Sequence, residues 1–480
     1  MNNPNILWIC SDQQRWDTLG CYGNHLVETP NLDRLAEQGV VFDSAYCQSP
    51  VCTPSRASFL TGRYPRTTRC RQNGQDLPAD EVLVTRLLAE YGYRCGLSGK
   101  LHLSACFPTV CPEMERRIDD GYTDFHWSHH AGGGWGKHNE YWAWLGERDA
   151  RYETAPHPET PFIRIGMQPE LHQTTWCVDK ACDFIGQRAG DEGPWLFSVN
   201  MFDPHHAFDP PADLLERYMT RTESIPLPAY REGELTGKPP YQAFDHGGAY
   251  GHQAGYAFDE MSANDHRMVR AAYWAMCDLI DAQVGRLLDL LEQTGQRDRT
   301  LVIYTSDHGE MLGDHGIYLK GPYFYEPAVH VPLIVSCPGT IVPRRATGLV
   351  ELTDLAQTLL DAAGIEHHPG MQGRSLWPLL TGEATADRHR DDVYCEYYNA
   401  MGGHKDPAAH LTMLRTDRHK VVVDHSHASG ELYDLEADPG EFANLWQDPA
   451  AAQVRADLVL RVCNRMAWTV DPLPERRAGW

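Results

Sequence analysis

No two of the 14 cysteines in this 480-residue chain form a C-x-x-C pair. That absence argues against a zinc knuckle or a thioredoxin-like redox site. The scattered positions predict free thiols, mostly buried as small hydrophobes in a reducing compartment. Cations are also scarce: 42 Lys and Arg against 66 Asp and Glu leave a net charge of −24. A nucleic-acid binder is normally basic, so nucleic acid is not an expected partner. An anionic substrate would meet a weakly repelling global field, and its binding would need a local cluster of cations and metal. No apolar run is long enough to span a bilayer, so no membrane is expected either. The start, "MNNPNILWICSDQQRWD", has no basic stretch ahead of an apolar one, which predicts a cytoplasmic protein. Low-complexity tracts and internal repeats are absent. The sequence leaves a homo-oligomer open.

What is present fits a large α/β domain with a smaller companion. Hydrophobic residues make up 42% of the chain, enough for a sizeable core. Short apolar runs at 5–10, 94–99, 194–200, 300–306 and 331–337 read as buried parallel strands, with helical patterns between them. The clearest helix spans 267–294, and Gly295 supplies a stop. Alternating strands and helices imply a doubly wound sheet covered on both faces. After about residue 370 the pattern changes to short strands and a turn, as in "LTMLRTDRHKVVVDH". This predicts a catalytic α/β domain over 1–375 and a small α+β domain over 376–480.

Polar residues follow the predicted strands closely. Asp12 and Gln13 follow the first, Lys100 and His102 the second, His205 and His206 the third, and Asp307 and His308 the fourth. In an open α/β sheet the carboxyl ends of the strands share one rim, where ligands bind. Asp12, Asp307 and His308, with the Gln13 carbonyl, suit a divalent cation such as Ca²⁺, Mg²⁺ or Mn²⁺; the imidazole tilts the choice towards Mn²⁺. Taken alone, Asp307 and His308 fit a cap or turn equally well. Lys100, His102, His205, Lys320 and Arg56 would neutralise a tetrahedral oxyanion and protonate a leaving oxygen. Two segments dense in Gly, His and aromatics, 124–144 and 244–256, either stack on a sugar or aryl group or pack onto the main domain. Cys52, within "SPVCTPSRASFLTGRYP", would need a nearby His and an oxyanion hole to act as a thiolate, and no cysteine-protease signature surrounds it.

"CTPSR" followed by "LTGRYP" resembles the signature of the type I sulfatases. "ILWICSDQQRWDTLGCYGN" and "VIYTSDHGEMLGDHG" are similar to that family's two metal-binding stretches, and "ELYDLEADPGEFANL" to its C-terminal turn. The resemblance implies an alkaline-phosphatase-like α/β/α sandwich with a smaller α+β C-terminal domain. It implies that a formylglycine-generating enzyme oxidises Cys52 to Cα-formylglycine. Asp12, Asp307, His308 and the modified residue would hold one divalent metal ion, Ca²⁺ or Mn²⁺, with Gln13 as a further ligand. The hydrated aldehyde would attack the sulfur of an anionic sulfate ester. His205 or another nearby acid would protonate the leaving oxygen, and His102 would take the proton that lets sulfate depart. Lys100, Lys320 and Arg56 would stabilise the charge.

The Gln13 and His308 pair departs from the commoner Asp and Asn of sulfatases. It resembles the choline-sulfatase and phosphonate monoester hydrolase branches. Phosphonate hydrolases tend to carry uncharged Tyr and Thr where Lys100 and His102 stand here. Their retention favours sulfate monoesters, carbohydrate or aryl, over the alternative of a phosphonate monoester hydrolase or phosphodiesterase using the same groups. A non-enzymatic binding protein on this scaffold should have lost its nucleophile or metal ligands, and this chain keeps both.

Overall fold

A computed structural model describes residues 3–132 and 135–474. Residues 133 and 134 of the aromatic segment at 124–144, and residues 475–480 of the expected C-terminal domain, lie outside the described residues. The main sheet has eight strands: β1 (Asn5–Ser11), β2 (Val40–Phe42), β3 (Arg94–Gly99), β4 (Tyr122–Trp127), β5 (Trp195–Asn200), β6 (Thr300–Ser306), β7 (Leu333–Ser336) and β8 (Arg344–Ala346). Their order across the sheet is β8-β2-β7-β6-β1-β5-β3-β4. Strands β6, β1, β5, β3 and β4 run parallel. β7 is antiparallel to β6, which corrects the parallel strand expected there. The connection explains the difference. Between β6 and β7 the chain forms only short helical turns at Asp314–Gly316 and Glu326–Val329, so no crossover helix carries it back across the sheet.

Side chains alternate across β1, and each face has its own core. Leu7 and Ile9 pack with the helices Pro30–Glu37, Gln173–Gln187 and Ala263–Gln293. Ile6, Trp8 and Cys10 pack with Cys52–Thr61, Val84–Glu90 and Asp354–Ala362. This is the expected sandwich, with the apolar runs buried on both sides. The longest helix starts before the expected residue 267, because Ser262 and Asp265 form a capping box that fixes its first turn.

A separate antiparallel meander follows: β9 (Val393–Tyr398), β10 (His410–Arg415), β11 (His419–Asp424) and β12 (Ser429–Asp434). One face carries the helix Ala452–Trp468 through Leu414, Val421, Leu432, Leu458 and Val462. The other face adds Cys395, Met413 and Val422 to the core of the main domain. Buried Lys420 reinforces the junction, pairing with Glu326 at 2.7 Å and Glu441 at 2.6 Å. All 14 cysteines are free, and only Cys463 is classed as exposed. Among the described residues no helix is long and apolar enough to cross a membrane.

Candidate functional site

Strands β1 and β6 pair in register, Ser11 opposite Ser306, so Asp12 and Asp307 leave the sheet side by side. Gln13 adopts φ +66°, a left-handed conformation that costs a non-glycine residue about 1–3 kcal/mol. Two contacts hold it there: its N–H donates to Asp307 Oδ1 at 3.1 Å, and Tyr273 donates to its carbonyl at 2.6 Å. Cys52 arrives from the first turn of the helix Cys52–Thr61. Its Sγ lies 3.2 Å from His308 Nε2 and 3.8 Å from Asp12 Oδ1. One donor atom from each of Asp12, Cys52, Asp307 and His308 falls within 4.8 Å of all the others, and all four residues are buried.

Two carboxylates and an imidazole fit a hard or borderline divalent cation. A thiol is the odd donor in that set. An oxygen at the position of Cys52 Sγ would suit such a cation better than sulfur does. Gln13 faces its neighbours in both directions, its amide donating to Glu310 while Oε1 accepts from Lys320 at 2.7 Å.

Lys100 is aimed by Gly99. That glycine ends β3 at φ +98°, and a Cβ there would lie 2.0 Å from the Asn200 carbonyl oxygen. Lys100 then donates its backbone N–H to the same carbonyl at 3.0 Å and its Nζ to Asp12. Burial weakens its hold on the proton, but Asp12 and Cys52 prevail and push its pKa up to about 12. Lys320 Nζ sits 2.9 Å from both Cys52 Sγ and His205 Nε2. Burial opposes ionisation of the Cys52 thiol, yet Lys100, Lys320 and His308 together hold it well below its usual range. His205 Nδ1 is 2.6 Å from the His206 carbonyl and must donate to it, so its Nε2 accepts from Lys320. Burial and Lys320 keep that imidazole neutral by lowering its pKa.

His102 is held in a second left-handed turn, at φ +56°. The carboxylate of Glu115 accepts from the N–H groups of His102 and Leu103, at 2.9 and 3.0 Å, and from Trp127 Nε1 at 2.7 Å. Burial and Lys100 push His102 down to about 4. Arg56 lies behind the carboxylates rather than on the cavity wall. Its Nε donates to Asp307 at 2.8 Å and its Nη1 to the Lys100 carbonyl at 2.8 Å, and it is 1% exposed. It fixes the direction of Asp307 and the turn that carries Lys100.

A cavity of about 420 Å³ opens over Cys52, Lys100, His102, His205 and Lys320. Its outer wall includes Phe107, Trp135, Phe202 and Tyr250. Trp135 stacks on His129 and His130, with ring centroids 5.1 and 5.2 Å apart.

The model of the family described as "Sulfatase" matches residues 4–365. The chain belongs to the sulfatase family. A second model, "N-sulphoglucosamine sulphohydrolase, C-terminal", matches residues 313–467 of this sulfatase. The arylsulfatase of Clostridium perfringens is 28% identical over 465 residues, covering 92% of this chain and 90% of its own. The choline-sulfatase of Rhizobium meliloti is 28% identical over 474 residues, covering 95% and 85%. The phosphonate monoester hydrolase of Silicibacter pomeroyi superposes with a TM-score of 0.84 at 26% identity, covering 98% of this chain and 96% of that one. The fold is alkaline-phosphatase-like, and this sulfatase is a sulfuric ester hydrolase.

All ten candidate residues of the sulfatase converge on one rim, eight around the Cys52 thiol and Arg56 behind them. Sequence reasoning covered His129 and His130 only as part of the 124–144 segment, without singling them out, and missed Asn73 as a wall residue. The two histidines leave the end of β4, so the same strand-end rule would have found them had 122–127 been read as a strand. Each aromatic segment splits between its two readings: Trp135 and Tyr250 face the cavity, whereas Trp144 packs in the core. Glu115 also went unread. Glu115→Ala would strand three buried donors, and its melting midpoint should fall by the equivalent of about 3 kcal/mol or more. An unchanged thermal melt would show that the 102–103 turn holds itself.

Proposed function

We propose that this sulfatase hydrolyses an organic sulfate monoester, carbohydrate or aryl, through a formylglycine made from Cys52, releasing inorganic sulfate. The observation that carries the reading is the position of residue 52. It stands against two buried carboxylates and His308 on one side and against Lys320 on the other. Cys52 is 1% exposed, so the modifying enzyme must meet this segment before its helix docks. Asp12, Asp307, His308 and residue 52, with Gln13 beside them, would hold Ca²⁺ or Mn²⁺. That ion would polarise oxygen and favour an ionised nucleophile. The hydrated aldehyde would supply one hydroxyl to attack sulfur and a second whose ionisation frees the sulfate.

The other residues have separable tasks. Lys100 and Lys320 neutralise the non-bridging oxygens, where charge is hardest to solvate in a closed site. His205 accepts at Nε2 from Lys320, so a proton can pass along that contact to the ester oxygen as it leaves. Neutral His102 is in the right state to accept a proton. The aromatic wall offers a stacking face to a sugar or an aryl group. His205→Ala should therefore slow esters with poor leaving groups by about 100-fold more than activated aryl esters. Equal losses across a leaving-group series would remove His205 from the proton path.

A second reading, a phosphonate monoester hydrolase or phosphodiesterase, draws support from the 0.84 TM-score and from Gln13 and His308. Against it stand Lys100 and His102, which add positive charge and a base beside residue 52. Parallel kcat/KM values for one aryl group on sulfate and on phosphonate separate the two. The sulfate should win; a phosphonate preference would overturn the assignment.

A further inference from the structure

The wall of the cavity carries a second group of donor atoms with a different chemistry. His102, Cys106 and His129 bring one ligand atom each to within 4.8 Å of the others, and all three are buried. They are 7%, 6% and 5% exposed. Neither ring nitrogen of His129 has a hydrogen-bond partner, and neither does His102 Nδ1. Leaving such groups buried and unpaired costs about 1–3 kcal/mol each. All three residues line the cavity, so an ion has a path to them. Cys106 Sγ has only a weak contact, 3.1 Å from the Ser104 carbonyl.

The cluster is also braced. β3 and β4 pair in parallel, Gly99 opposite Trp127, so His102 and His129 emerge from neighbouring strand ends. Glu115 pins the turn at His102, and Trp135 stacks on His129. Two imidazoles and a thiol are borderline-to-soft ligands, unlike the oxygen-rich set at Asp12 and Asp307. Such a set takes Zn²⁺ or Co²⁺ and discriminates against Ca²⁺ and Mg²⁺. With three protein ligands, the fourth position would face the cavity.

We propose that His102, Cys106 and His129 form a second metal site, for a thiol-seeking divalent ion such as Zn²⁺, and that filling it inhibits the enzyme. As the ion binds, the Cys106 S–H proton passes to solvent and a metal–sulfur bond replaces it. The ion occupies His102 and narrows the cavity above Cys52. The inhibitory part rests on the sulfatase reading, since it needs His102 to serve turnover; the binding part does not.

The test uses Co²⁺ on the Cys52→Ser protein, in which Cys106 is the one thiol left in the cavity lining, with excess Ca²⁺ to fill the oxygen-rich site. One equivalent should bring a thiolate-to-Co²⁺ charge-transfer band in the near ultraviolet and tetrahedral ligand-field bands in the visible. Zn²⁺ should erase both. Adding Cys106→Ser, a change of little volume, should abolish the charge-transfer band, and His129→Ala should weaken Co²⁺ binding about tenfold to 100-fold. In the enzyme with Cys52 intact and matured, Zn²⁺ should inhibit aryl sulfate turnover competitively, with a similar loss of potency in Cys106→Ser. No band, or a band that survives Cys106→Ser, overturns the site. The bands without any Zn²⁺ inhibition would uphold the site and overturn the inhibition. Failure of the sulfatase reading would instead appear as absent sulfate turnover with the Co²⁺ spectrum unchanged.

Discussion

Cys52→Ala is expected to reduce turnover of an aryl sulfate about a million-fold, with the fold intact. In the proposed mechanism the thiol is the precursor of the attacking group, and no other side chain in the cluster could form a geminal diol. The structural cost should be small. Removing one sulfur leaves a minor void, and Lys320 keeps Gln13 and His205 as partners. A circular dichroism spectrum and melting midpoint close to those of the parent, together with a lost rate, would assign the defect to chemistry. A rate that survives the substitution would remove residue 52 from the reaction.

Asp307→Ala is expected to lose bound metal and activity together, with a rate decrease of about a thousandfold or more. Its effect on stability should also be large. Arg56 is almost wholly buried, and its closest carboxylate contact is the 2.8 Å bond to Asp307. Asp12 lies farther from it, at 3.6 Å. Breaking a buried pair by removing one partner costs about 3–5 kcal/mol, because the remaining charge stays out of water. The metal-free variant should therefore melt well below the metal-free parent, and added Mn²⁺ or Ca²⁺ should no longer raise its midpoint. Elemental analysis showing full metal content in the variant would contradict the ligand assignment.

The parts of the fold that were legible in the sequence are those where one residue pattern has one solution. "NILWIC" and "TLVIYTS" carry unbroken hydrophobic stretches, Ile6–Cys10 and Leu301–Tyr304, because β1 and β6 are covered on both faces. Polar residues just beyond such strands must lie on the rim, so Asp12, Gln13, Lys100, Asp307 and His308 could be placed together from sequence. β4 was not legible. "YTDFHW" mixes Tyr, Asp and His into an edge strand that is only partly buried, so His129 and His130 could be read only as part of a loop and not as strand-end residues. The direction of β7 was equally hidden, since an apolar run does not say which way its strand points. Arg56 shows a third limit. A motif gives a residue's place in the chain but not the aim of its side chain, and here the guanidinium faces Asp307 and the Lys100 carbonyl. The second donor cluster at His102, Cys106 and His129 joins two loops that no local pattern connects.

The most direct test of the central claim is the mass of the peptide containing residue 52, measured on preparations that differ in maturation. A converted residue is lighter by the difference between a thiol-bearing methylene and an aldehyde. Specific activity should rise in proportion to the converted fraction and extrapolate to zero where all of residue 52 remains cysteine. Full activity in protein whose residue 52 is entirely cysteine would contradict it.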